Sequence, residues 1–134
     1  MRKYLLDTHT LIWAIVDKSN LSNIVLKILQ DNDNKLFVSA VSFWEIAIKH
    51  GKGKMELENF QIQNIPDYCM RLAIEQIPIM PEDAINYSTL PLHENHKDPF
   101  DRMLICQCIS GNYTLISKDN KMDYYKDFGL ECIW

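Results

Sequence analysis

The chain has 134 residues, 47% of them hydrophobic and 24% charged, and a formal net charge of −4. That composition argues against disorder, and the length suits a single domain, residues 1–134, able to bury roughly two thirds of its unfolded surface without staples. The longest apolar stretch, Leu11 to Val16, falls far short of the roughly 20 residues that span a bilayer, and no signal-peptide pattern precedes it. A cytoplasmic protein with no membrane partner is expected. Cys69, Cys106, Cys108 and Cys132 are too few and too scattered for a disulfide scaffold and read as buried free thiols. An acidic chain that binds nucleic acid must reverse its field locally, with basic residues or a bound cation.

Lys3 to Leu6 is an apolar run that closes on Asp7 and is followed by a helical-looking Leu11 to Val16. A run so short reads as a strand buried on both faces of a parallel sheet, with Asp7 at its carboxyl end, where ligands of open α/β sheets bind. Ser22 can cap a helix through about Gln30, whose Ile24, Val25, Ile28 and Leu29 share one face. After a turn at Asp31-Asn32-Asp33-Asn34, Leu36-Phe37-Val38 reads as strand two, so the first third of the chain suggests a right-handed βαβ unit.

Ser42-Phe43-Trp44-Glu45 precedes Ile46, Ala47 and Ile48 and has the spacing of a capping box. Glu45 is therefore either a cap partner or an acid held above the carboxyl edge of the sheet near Asp7, and the helix dipole favours both. Lys49 to Lys54 is a basic, glycine-broken loop that suits a helix C-terminus or a phosphate contact, but it is not a P-loop. Pro66 can start a helix through about Glu75, Ile77-Pro78-Ile79 is a candidate edge strand, and Pro81 opens a helix that closes near Leu90. In the irregular stretch to Asp98, His93 and His96 lie three apart where a zinc HExxH needs four, and they read as surface loop residues.

Asp98 fits an N-cap and Pro99 the first helical position, which leaves Asp101 free to face the sheet edge. The helix should run to Ser110, with Gly111 in the left-handed conformation that ends it. Tyr113 to Ile116 is strand four, and Asp119 repeats the position of Asp7 just past a strand, although an Asx turn explains it as well. Leu130 to Ile133 closes the sheet, and Lys121 to Phe128 is too polar and aromatic to assign.

Four acids, Asp7, Glu45, Asp101 and Asp119, would crowd one edge and raise one another's pKa, and a cation is the simplest resolution. All-oxygen ligands point to a hard ion, Mg²⁺ or Mn²⁺, of the kind that serves phosphodiester hydrolysis. Lys49, Lys52, Arg102 and Lys118 are the flanking cations available to contact a polyanion.

Leu5-Leu6-Asp7-Thr8-His9, Ser42-Phe43-Trp44-Glu45-Ile46, Asp98-Pro99-Phe100-Asp101-Arg102 and Ser117-Lys118-Asp119, in this order across the chain, resemble the PIN-domain nucleases of VapC-like toxin-antitoxin systems. The resemblance implies a three-layer α/β/α domain with a parallel five-stranded sheet in the order 3-2-1-4-5. It also implies that Asp7, Glu45, Asp101 and Asp119 are the catalytic quartet holding one or two Mg²⁺ or Mn²⁺ ions. Asp98 would be a fifth acid, and Thr8 and Ser117 would be hydroxyls behind the ligands. By the same resemblance the chain would be a metal-dependent endoribonuclease, forming a homodimer and silenced by a cognate antitoxin. The alternatives are a catalytically silent PIN-like module binding RNA or protein, and a haloacid-dehalogenase-type phosphatase. The latter needs an Asp where His9 stands.

Overall fold

The computed structural model describes residues 2–53 and 61–134. Five parallel strands, β1 (Lys3–Leu6), β2 (Lys35–Ser39), β3 (Ile74–Ile77), β4 (Thr114–Ile116) and β5 (Glu131–Ile133), form one sheet in the order β3-β2-β1-β4-β5. Helices α1 (Thr8–Val16), α2 (Asn23–Gln30), α3 (Ala40–Gly51), α4 (Ile65–Arg71), α5 (Pro81–Asn86) and α6 (Pro99–Gly111) connect them. No helix among the described residues is long and apolar enough to cross a membrane.

Alternation along the strands divides the interior into two cores. Leu6, Val38 and Ile116 face one side with Leu11 and Ala14 of α1, Val25 of α2, Ile46 of α3 and Cys69 of α4. Leu5, Phe37 and Leu115 face the other with Leu104, Ile105 and Cys108 of α6 and with Met122 and Tyr125. Strands covered on both faces read as unbroken apolar triplets, as these do. The chain moves from β1 outward to β2 and β3 and then crosses back to β4, so the order reverses between β1 and β4. A crevice opens at their carboxyl ends for that reason.

Local chemistry differs from the sequence expectation at several joints. Ser39, in extended backbone, caps α3 by accepting from the Val41 amide at 3.1 Å, so α3 begins ahead of Ser42 and no capping box forms there. α4 ends at Arg71 rather than near Glu75, because Ala73 adopts the left-handed conformation and Ile74–Ile77 then pairs with β2. The third strand therefore stops before Pro78, which cannot donate to a ladder. α5 gives way to a 3₁₀ turn at Tyr87–Thr89 before Leu90. The left-handed residue after α6 is Asn112, not Gly111. Gly111 is required for space instead, since a Cβ there would lie 2.3 Å from the Tyr113 ring. The stretch Lys121 to Phe128, unassigned from sequence, belongs to a 3₁₀ segment, Asn120–Phe128, that carries Tyr125 into the second core. All four cysteines are free, with Cys132 only half-buried.

Candidate active site

The acids reach the crevice from four joints. Asp7 ends β1 and caps α1, where Oδ1 accepts from the Thr10 amide at 2.8 Å. Asp98 caps α6 by accepting from the Phe100 amide at 2.9 Å, which leaves Asp101 in the first turn without a capping duty. Asp119 follows β4 in the expected Asx turn, accepting from the Lys121 amide at 3.0 Å, while its own amide donates to Ser117 Oγ at 3.2 Å. The early start of α3 places Ser42 and Glu45 one turn apart and facing α1. The Thr8 hydroxyl donates to Glu45 Oε1 at 2.5 Å and lies 3.1 Å from Ser42 Oγ, and Lys49 binds the other Glu45 oxygen.

Asp7, Glu45, Asp98, Asp101 and Asp119 thereby line one cleft of about 280 Å³, together with His9, His96 and the lysines Lys49, Lys97 and Lys121. The field in that cleft is strongly negative. Burial, followed by the charges of Asp98, Asp7, Glu45 and Asp119, pushes the Asp101 carboxyl up to about 8. Burial also raises Asp7, against hydrogen bonds from Ser117 and Thr10 that favour its charge. Burial opposes the charge of Lys49, but its bond to Glu45 and the charges of Glu45, Asp98 and Asp101 outweigh this and leave it above its ordinary value. Carboxylates crowded in this way favour either a proton or a nearby positive charge.

A model of the PIN domain matches residues 4–127. The chain belongs to the PIN-domain family. Among curated protein sequences none matches it. Its fold is similar to a chain of VapBC2 from Rickettsia felis, solved with a DNA fragment from the promoter, at TM-score 0.70 and 20% identity over 98% of this chain and 97% of that one. VapBC-1 from nontypeable Haemophilus influenzae gives TM-score 0.64 and 21% identity over 98% and 96% of the two chains. DNA-bound VapBC from Salmonella typhimurium gives 0.64 and 17% over 99% and 98%.

Two expectations for this PIN domain need correction. Arg102 is not placed to contact RNA: it is 3% exposed, and its guanidinium donates to the Pro91 and Leu90 carbonyls at 2.8 and 3.1 Å and to the Tyr125 hydroxyl at 3.0 Å. His96 is not a surface residue: it is 3% exposed, with Nε2 3.2 Å from Asp101 Oδ2 and Nδ1 2.8 Å from the Tyr125 hydroxyl. Burial lowers its pKa, although Asp119 and Asp98 pull the other way. A ring nitrogen therefore stands beside the carboxylates, where the sequence suggested oxygen alone: candidate ligand atoms of His96, Asp101 and Asp119 all lie within 4.8 Å of one another. No histidine spacing marks His96 in the sequence; its place two residues ahead of the Asp98 cap is the local signal.

Among the remaining predicted contacts, Lys49 lines the cleft, Lys52 stands exposed at the C-cap of α3, and the Lys118 ammonium lies 5.8 Å from the centre of the Trp13 ring. Lys54, the end of the expected basic loop, lies outside the described residues. Lys97 and Lys121 line the cleft without having been singled out from sequence.

Proposed function

We propose that this PIN domain is a Mg²⁺- or Mn²⁺-dependent endoribonuclease and the toxin of a VapBC-type pair. The observation that carries this reading is the convergence of five carboxylates from four distant segments on one cleft, with Asp101 pushed up to about 8 by burial and then by its neighbours' charges. Hard carboxylate donors crowded in this way fit a divalent cation. Asp7, Glu45, Asp101 and Asp119 would hold it, with Asp98 at the margin. The ion would polarise a water and neutralise charge developing on the phosphodiester and its leaving oxygen.

The remaining work falls to the chain's own side chains. Thr8 and Lys49 fix both oxygens of Glu45, which is 2% exposed and would otherwise be a buried unpaired charge. Ser117 and Thr10 hold Asp7. Lys49, Lys97 and Lys121 at the cleft give a polyanion a local positive contact that the net charge of −4 denies it elsewhere. Four free thiols suit a reducing cytoplasm. The VapBC complexes whose fold it shares support a small antitoxin as partner, and a homodimer is part of the same proposal.

Incubating the purified chain with single-stranded and folded RNA in Mg²⁺, Mn²⁺ or EDTA, beside Asp7→Asn, tests the reading. Asn caps a helix as well as Asp does, so the fold should persist. Cleavage should need the ion and vanish in the variant. Cleavage that survives EDTA, or an intact wild type that binds Mn²⁺ but cuts no RNA, overturns it in favour of another chemistry or of a silent binding module.

A further inference from the structure

His96 lies outside the acidic quartet, yet it joins Asp101 to a buried hydrogen-bonded chain. Arg102 can only donate, and it donates to the Tyr125 oxygen at 3.0 Å. Tyr125 is 0% exposed, and its hydroxyl has one other partner among the described residues, His96 Nδ1 at 2.8 Å. Were Nδ1 to carry the imidazole proton, the tyrosine oxygen would accept twice and its buried hydrogen would have nowhere to go, a loss of about 1–3 kcal/mol. The arrangement that satisfies every atom has Tyr125 donating to Nδ1 and the imidazole proton on Nε2, aimed at Asp101 Oδ2 3.2 Å away.

The scaffold around this chain is tied at several points. Arg102 ties the Leu90 and Pro91 carbonyls to α6 one residue after Asp101, and the His96 and Tyr125 rings meet edge-on with centroids 5.3 Å apart.

We propose that His96 is a positioning residue, whose Nε2–H holds one oxygen of the ionised Asp101 carboxylate so that the other faces the cation, with Arg102 and Tyr125 setting its tautomer. The proposal rests on the nuclease reading. It gives the site a nitrogen behind a carboxylate ligand, the inverse of the familiar carboxylate behind a histidine ligand.

Two measurements test it. Long-range proton–nitrogen NMR of the Mg²⁺-loaded protein should show His96 as the Nε2–H tautomer, and Tyr125→Phe should release that preference. Mn²⁺ titration followed by electron paramagnetic resonance should show affinity weakened about 10–100-fold in His96→Leu. His96→Gln, whose amide can still donate to Asp101, should restore part of it. An Nδ1–H tautomer in the wild type, nitrogen coupling that places His96 on the Mn²⁺ itself, or wild-type affinity in His96→Leu each overturns the proposal. A wild type that binds no Mn²⁺ overturns the nuclease reading instead. If His96→Leu does not fold, the tautomer and the Gln variant still decide.

Discussion

Replacing Asp101 by asparagine removes a charge while keeping the side chain's shape, and in the metal-free protein it should raise stability while ending activity. The Asp101 carboxyl rises from 3.8 to about 8 on folding, so the folded chain binds its proton more tightly than the unfolded chain does. Stability from this group is complete below the unfolded value and is lost as pH rises through the folded one. At about 1.36 kcal/mol per pH unit the loss between 3.8 and 7 is at most about 4 kcal/mol. The side chain is 21% exposed, so water and counterions screen about two thirds of this, and we expect about 1–2 kcal/mol. For 134 residues, at roughly 2.1 cal/mol/K each, that is a rise in Tm of about 4–7 °C at pH 7 in EDTA. Thermal melts from pH 5 to 8.5 should show the wild type falling steadily and Asp101→Asn nearly flat. A variant that melts below the wild type at pH 7–8 in EDTA would refute the crowding account and make Asp101 an ordinary helix-start acid.

Mg²⁺ or Mn²⁺ at a hundred times its Kd should stabilise the wild type by about 2.7 kcal/mol and flatten the same pH dependence; melts unmoved by either ion would count against a cation at this cleft. Arg102→Met should lower stability by about 2–4 kcal/mol in urea denaturation, because the carbonyls of Leu90 and Pro91 lose their donors, and a near-neutral result would mean water replaces them. Thr8→Val should leave the unfolding free energy from urea denaturation within about 1 kcal/mol of wild type yet weaken Mn²⁺ binding about tenfold by calorimetry, since Glu45 loses the hydroxyl that orients it; unchanged affinity would show that Lys49 alone holds the carboxylate.

The short apolar runs Leu5-Leu6, Leu36-Phe37-Val38 and Leu115-Ile116, each running up to a polar turn, were enough to specify a doubly covered parallel sheet, because strand alternation needs only apolar residues at both parities. The acids were legible for a related reason: Asp7, Asp98 and Asp119 sit at strand or helix ends, where local hydrogen bonding selects Asp whatever else it does. Joints set by competition between neighbours were not legible. Ser39 outranked Ser42 as a cap, and Ala73 left the helix so that Ile74 could pair with Leu36 across the sheet. Nor was the chain from Arg102 through Tyr125 and His96 to Asp101, whose partners are up to 29 residues apart and meet only because the 3₁₀ segment after β4 packs beneath the loop before α6. By itself the sequence determined which residues could carry the charge and which edge of the sheet they would face, since periodicity and caps are properties of a few consecutive residues. Only the tertiary structure decided that Arg102 spends its donors inside the fold and that His96 stands against Asp101, because burial and hydrogen-bond direction depend on atoms brought together from across the chain.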